Sequence, residues 1–191
     1  MEHYLDNSAT TKVSKAAADK VYEIMTENYG NPSSLHTKGI RAEDELEAAR
    51  AVISRAMGVN SGELYFTSGG TEANNLAVFG TVNRLKRRGN KIVTTAVEHS
   101  SVYEAVKRLE EEGFEVVYIK PDDSGHFLLE SFERAIDKNT ILVSVMAVNN
   151  EVGTVLPIDK IKKIIDKNQS PAFLHCDCVQ AFMKLPLKLN K

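Results

Sequence analysis

The feature that most restricts the fold of this chain is a regular alternation between short β-forming runs and longer helix-like stretches. Strands that alternate with helices predict βαβ units and a mainly parallel sheet sandwiched by helices, which is an α/β fold. The run ILVSVMAV fits a strand that is buried on both faces. The predicted strands are residues 64–67, 92–97, 115–119, 141–148 and 172–175, and the predicted helices are residues 41–57, 71–88, 101–112, 130–137 and 158–168.

Composition and charge exclude several classes of protein. A formal net charge of -2 gives no electrostatic reason to expect binding to nucleic acid or to an anionic membrane surface. The apolar runs are too short to span a bilayer, and MEHYLDNSATT lacks the pattern of a signal peptide. The two cysteines, Cys176 and Cys178, are too close together to staple a fold. They favour a reducing compartment, and we expect the cytoplasm.

A glycine-rich turn, SGGT, joins the first predicted strand to an apolar helix. The N–H groups of a first helical turn have no helical acceptor, and the helix dipole adds positive charge there, so an anion such as phosphate is favoured. Gly69 and Gly70 allow close approach of a ligand, and Thr71 can hydrogen-bond a phosphate oxygen. The alternative is an ordinary capped helix with glycine for turn geometry.

Four polar clusters fall at the carboxyl ends of predicted strands, where ligands bind in open α/β sheets. We therefore expect them to form one ligand site. The clusters are SGGT, Glu98–His99, Asn149–Asn150–Glu151 and HCDCVQ.

Each cluster also has a structural alternative. His99 is either a ring stacked on a planar cofactor or a helix cap, and the asparagines are either ligand contacts or turn formers. Asp177 follows an apolar strand directly, where a carboxylate needs a partner such as a ligand cation. In HCDCVQ, strand alternation sends the two cysteines to one face and His175 and Asp177 to the other, so we expect no metal site.

Taken together, these motifs resemble the cysteine desulfurases of the iron–sulfur cluster assembly class. These are pyridoxal-phosphate (PLP) transferases of aminotransferase class V and fold type I. The resemblance covers the full length of the chain. The motifs that carry it are YLDNSATT, YGNPSSLHTKG, FTSGGTEANNLA, EHSSV, GFEVVYI, TILVSVMAVNNEVGTVLPI and HCDCVQAFMKLPL.

The resemblance implies a homodimeric enzyme that takes sulfur from L-cysteine and leaves L-alanine. The sulfur would pass through an enzyme cysteine persulfide to an iron–sulfur scaffold or another sulfur-acceptor protein. Residues 1–14 would belong to a small domain, and residues 15–191 would form part of the large PLP-binding domain, incomplete at its C-terminus.

The resemblance also implies roles for individual residues. Asp177 and His99 would be catalytic: Asp177 would keep the pyridine nitrogen of PLP protonated, and His99 would stack on the ring and assist proton transfers. Gly70 and Thr71 would bind the phosphate, and two further residues would lie near the ring hydroxyl. The two residues near the ring hydroxyl would be Asn150 and Gln180. The full implied set is therefore Gly70, Thr71, His99, Asp177, Asn150 and Gln180.

The chain departs from the family pattern in two ways. Cys178 stands where the family commonly has alanine, and neither cysteine is the family's persulfide-forming residue. The family's Schiff-base lysine and persulfide cysteine fall beyond Lys191, so we expect residues 1–191 alone to be inactive as a desulfurase. Two alternatives remain: a non-catalytic or split-chain domain that binds a phosphate ligand or a partner, and another fold type I enzyme such as a selenocysteine lyase or aminotransferase.

Overall fold

The computed structural model describes residues 3–186, which fall into two compact units. The first contains the described residues up to Phe66 together with Pro186, and the second is Thr67–Leu185. The assignment of residues 1–14 and 15–191 to two domains of a larger protein stays a prediction, and residues 1–2 and 187–191 of those ranges lie outside the described residues.

The first unit contains two helices. Helix α1, Lys15–Thr26, is not predicted from the sequence, and Ser14 caps it by accepting the Ala17 N–H at 3.3 Å. Helix α2, Thr37–Met57, begins earlier than predicted because His36 Nδ1 accepts the Gly39 N–H at 3.3 Å. It ends at Gly58, whose φ of 71° is the left-handed conformation that glycine adopts easily.

The predicted strand at residues 64–67 is wrong. Leu64 has an extended backbone, but residues 64–67 belong to none of the strands in the described part of the chain. The Leu64 carbonyl accepts a hydrogen bond from the Arg50 guanidinium, which also lies over the Phe66 ring at 4.8 Å. β-forming residues favour an extended backbone, but a strand also needs the ladder of a neighbour, and here a side chain takes the carbonyl instead.

The second unit contains a four-stranded parallel sheet. The other four predicted strands are confirmed to within a few residues. The last strand runs further than predicted, so that Asp177 is its final residue. The strands are β1 Lys91–Thr95, β2 Glu115–Ile119, β3 Thr140–Met146 and β4 Phe173–Asp177. Their order across the sheet is β2-β1-β3-β4.

Helices cover both faces of this sheet, as the alternation predicts. Alternate strand residues point to opposite faces, so Ile92 and Leu142 pack against two helices on one face, whereas Val93 and Val143 pack against two helices on the other. All four of these side chains are fully buried. The helices are α3 Gly70–Leu85, α4 Ser100–Glu111, α5 Leu129–Ala135 and α6 Ile158–Lys167. Helices α3 and α4 form the first pair, and α5 and α6 form the second.

The strand order creates a switch point between β1 and β3. The chain leaves β1 towards β2 on one side and then returns to β3 on the other side. In open α/β sheets, the crevice at the carboxyl ends of two such strands is the usual ligand site. Within the described residues, no helix combines the length and the apolar character needed to cross a membrane.

Candidate functional site

A pocket of about 230 Å³ lies at the carboxyl edge of the sheet in the second unit. All six residues predicted from the sequence to form the ligand site line it, although their individual roles remain predictions. The remaining lining residues come from α3, α4, β3 and the segments that follow β3 and β4. The full lining is Gly70, Thr71, Asn74, His99, Ser101, Met146, Val148, Asn150, Asp177, Val179 and Gln180.

The N-terminus of α3 provides one wall of this pocket. Ala73 is the first residue whose N–H bonds within the helix, to the Gly69 carbonyl at 3.1 Å, so the N–H groups of Gly70 and Thr71 have no helical acceptor. The Glu72 carboxylate folds back onto Ser68, accepting its N–H and its hydroxyl at 2.6 Å each. These hydrogen bonds from Ser68 lower the pKa of Glu72. The turn is therefore ordered by its own residues.

Asp177 is the buried carboxylate of the pocket and is only 8% exposed. Its Oδ1 accepts the Val179 N–H and its Oδ2 accepts the Asn74 amide, both at 2.9 Å. Both donors are neutral, so these bonds orient the carboxylate without balancing its charge. A buried carboxylate whose hydrogen-bond donors are both neutral suits a cationic group on a ligand.

A chain of hydrogen bonds joins His99 to Asp177. Asn74 Nδ2 donates both to Asp177 Oδ2 and to Ser101 Oγ at 2.9 Å, and Ser101 Oγ lies 2.8 Å from His99 Nδ1. His99 Nδ1 also accepts the Ser101 backbone N–H at 3.2 Å, which caps α4. Because Nδ1 is an acceptor, the neutral imidazole carries its proton on Nε2. His99 therefore both caps a helix and lines the pocket.

Sequence reasoning missed Asn74 and Ser101. Both lie inside motifs that were noticed for other residues, SGGTEANN and EHSS. A polar residue in the first turns of a helix that begins at a ligand site is a candidate to hydrogen-bond and orient the residues that contact the ligand. Both motifs contain such a polar residue.

Glu98 precedes the pocket residue His99 but is not itself among the residues that line the pocket. Its Oε1 accepts the Thr95 hydroxyl at 2.5 Å and the Met146 N–H at 3.0 Å, which ties the loop after β1 to the end of β3. Its Oε2 is buried and has no hydrogen-bond partner among the described residues. Burial, helped by the charge of Asp177, raises the pKa of Glu98 to about 7. A carboxyl group is thus held half protonated at neutral pH next to the site.

The two asparagines that follow β3 differ in position: one forms a turn and the other lines the pocket. Asn149 is a turn former: its Oδ1 accepts the Glu151 N–H at 2.9 Å and its amide donates to the Val97 carbonyl at 3.1 Å. Asn150, by contrast, lines the pocket.

The residues of the HCDC motif diverge as strand alternation predicts. His175 Nδ1 lies 2.8 Å from Ser144 Oγ, and burial lowers the pKa of this histidine. The two cysteine sulfurs lie 3.5 Å from each other, and both cysteines are free thiols. In the part of the chain that the structure describes, no group of three or more His, Cys, Asp or Glu residues is placed to hold a metal ion.

Comparison with known proteins places this geometry in a family. A profile of the aminotransferase class-V family matches residues 3–191. The NifS/IcsS protein homolog of Lactobacillus delbrueckii subsp. bulgaricus is 45% identical over 181 residues, which are 95% of this chain and 47% of the relative. The mitochondrial cysteine desulfurase of Candida albicans is 41% identical over 189 residues, 98% of this chain and 38% of the relative.

A solved NifS-like protein matches the structure with a TM-score of 0.96 at 38% identity, over 100% of this chain and 52% of that protein. The chain thus spans about half the length of this protein and of the bacterial relative, and less of the yeast one. The match confirms the predicted fold type I architecture of PLP-dependent transferases. Because the family profile covers nearly all of the sequence and the structural match covers all of it, the chain belongs to the class-V aminotransferase family.

Proposed function

We propose that this chain is part of a PLP-dependent cysteine desulfurase, which takes the sulfur of L-cysteine and leaves L-alanine. The observation that carries the proposal is the convergence of all six predicted ligand residues on one pocket, in which hydrogen bonds run from His99 to Asp177. Relatives named as cysteine desulfurases, at about 40% identity, support the choice of reaction.

The residues of the pocket fit PLP at both ends. The start of α3 offers the N–H groups of Gly70 and Thr71 to a phosphate, and a Cβ added at Gly70 would lie only 3.4 Å from Val179, so the approach there is narrow. At the other side, Asp177 is a buried carboxylate with neutral partners, which suits a protonated pyridine nitrogen. When bound, PLP supplies an electron sink for a carbanion, provided that this nitrogen is protonated.

The residues of this chain have distinct tasks in that reaction. Asp177 holds the negative charge that keeps a pyridine nitrogen protonated, and Asn74 and Val179 fix its orientation through two bonds of 2.9 Å. His99 carries its proton on Nε2, where it can exchange a proton with the substrate. Ser101 fixes the orientation of the His99 ring by its two contacts with Nδ1.

We also propose a homodimer, a sulfur-acceptor partner and a cytoplasmic location. The homodimer is supported by the first unit, where α1 has no buried residue and Val21 and Met25 are 57% and 72% exposed. Apolar side chains exposed in this way suit a second copy of the chain. An iron–sulfur scaffold or another acceptor protein rests on the resemblance, and the cytoplasm rests on the free cysteines, although a yeast relative is mitochondrial.

The test is the full-length protein, reconstituted with PLP and supplied with L-cysteine and excess dithiothreitol, which reduces the enzyme persulfide to a thiol and releases sulfide, with alanine and sulfide measured together. We expect equal amounts of both products. Asp177→Asn, which keeps the shape but removes the charge, should lower turnover by about 10²-fold or more. The control is Asp166→Asn, because Asp166 lies on α6 with its side chain 62% exposed in an i,i+4 ion pair. No alanine from the wild type, or full turnover by Asp177→Asn, would refute the proposal.

A further inference from the structure

The Cys176–Cys178 pair has no part in the proposed desulfurase reaction. These are the two cysteines of the chain, and their sulfurs lie 3.5 Å apart. Cys176 lies within β4, and Cys178 follows the last residue of that strand, Asp177. Both thiols are free and partly buried, and neither cysteine lines the ligand pocket.

The contact makes the two thiols chemically unequal. Either thiol can donate in the neutral pair, but once Cys178 ionises the Cys176 thiol donates to it. This hydrogen bond lowers the pKa of Cys178 and raises that of Cys176, and the burial of Cys176 raises its pKa further. Because the thiolate is the reactive form of cysteine, Cys178 is the nucleophile of the pair and Cys176 is the proton donor beside it.

We propose that Cys176 and Cys178 form a redox-active dithiol that undergoes exchange with small disulfides. The Cys178 thiolate attacks one sulfur of a disulfide R–S–S–R, and one thiolate R–S⁻ leaves. Cys176 then loses its proton and attacks the Cys178 sulfur of the mixed disulfide, expelling the second R–S⁻. The small disulfide is reduced to two thiols, and the protein is oxidised by two electrons to an intramolecular disulfide.

Closure of this bond changes the position of Asp177, which lies between the two cysteines. The sulfurs must approach from 3.5 Å to about 2.05 Å. The new bond closes a small ring that includes the backbone of Asp177, and we expect that backbone to shift with it. That backbone carries the carboxylate that is held by Asn74 and by the Val179 N–H at 2.9 Å. We therefore expect oxidation to weaken PLP binding, a consequence that rests on the proposed function.

The exchange reaction is tested on the full-length protein with glutathione disulfide, without PLP. Free thiols are alkylated after an acid quench, and trypsin then releases residues 168–184, a peptide that contains both cysteines. The wild-type peptide should lose two hydrogens and resist alkylation. Cys176→Ser should stop with one glutathione on Cys178, and Cys178→Ser should react far more slowly. Two alkylated cysteines in the wild type, or a stable glutathione adduct, would overturn the proposal.

The link to the pocket has a separate readout. PLP affinity should fall by about tenfold on oxidation, the equivalent of one lost hydrogen bond to a charged group, and dithiothreitol should restore it. In Cys178→Ala, which cannot close the bond, the oxidant should leave the affinity unchanged. An unchanged affinity in the oxidised wild type would refute the link. Failure of the reduced protein to bind PLP would instead refute the proposed function, while the peptide masses would still decide the dithiol.

Discussion

Replacing Glu98 by glutamine should abolish a large pH dependence of stability. Glu98 has an ordinary pKa of 4.5 when unfolded and about 7 in the folded protein, because burial penalises its charge. The folded state therefore binds the proton more tightly than the unfolded state. The resulting stabilisation is complete below pH 4.5 and is lost as the pH rises through about 7. At about 1.4 kcal/mol per pH unit, the loss is about 3 kcal/mol.

The assay is urea unfolding of the wild type and of Glu98→Gln at about pH 5 and about pH 8.5, on either side of the folded-state pKa. Glutamine keeps an oxygen that can accept from Thr95 and Met146 but carries no charge. The variant should gain about 2.5 kcal/mol relative to the wild type between the two pH values, because part of the wild-type loss has already occurred at about pH 5. His175, whose pKa is lowered by burial, is present in both proteins, so its contribution cancels in the difference.

Glu98→Ala provides the matched control, because it removes the two hydrogen bonds as well as the charge. It should lack the pH dependence of the wild type, as glutamine does, but should be less stable than Glu98→Gln at both pH values. An equal pH dependence in the wild type and in Glu98→Gln would refute the reasoning. It would mean that Glu98 is ionised in the folded state and that its Oε2 is solvated.

Two further variants test the hydrogen-bond chain. His99→Asn keeps an acceptor for the α4 cap but removes Nε2. Turnover of the full-length enzyme should therefore fall by about 10²-fold or more, with little change in the unfolding temperature. A large drop in the unfolding temperature would instead show that His99 acts mainly as a helix cap. Asn74→Ala should cost about 2 kcal/mol of unfolding free energy, because Asp177 loses a buried donor. Asn75→Ala, which removes a half-buried amide that donates only to the backbone carbonyls of Thr71 and Ser101, should cost far less, and equal costs would contradict the assignment.

The sequence predicted the two central strands, β1 and β3, well because they are buried on both faces. Residues 141–148 form an apolar run that only Ser144 interrupts, and Ile141, Leu142, Val143 and Val145 are indeed fully buried. Residues 64–67 have a similar β-forming composition, yet Arg50 takes the Leu64 carbonyl. The residue composition of a segment indicates that its backbone prefers to be extended. Whether the segment becomes a strand depends on which group hydrogen-bonds its backbone, a neighbouring strand or a side chain.

SGGT lines the pocket although residues 64–67 before it form no strand of the sheet. The other three polar clusters at the pocket were predictable because the carboxyl ends of parallel strands meet at one edge. Their supporting residues were not, because their roles depend on distances. Nothing in the sequence indicates that the Asn74 amide reaches both Ser101 and Asp177, or that one oxygen of Glu98 has no partner. The contact between Cys176 and Cys178 was predictable only in part. Strand alternation places the two cysteines on one face, but only the structure gives the 3.5 Å between their sulfurs.

The most direct test of the proposed cofactor site is a crystal structure of the full-length protein with PLP. The phosphate should lie at the start of α3, within hydrogen-bond distance of the Gly70 or Thr71 N–H. The ring should stack on His99, and the pyridine nitrogen should lie within hydrogen-bond distance of a carboxylate oxygen of Asp177. A structure in which other protein residues fill the turn at Ser68–Thr71, or in which the pyridine nitrogen lies away from Asp177, would contradict the assignment.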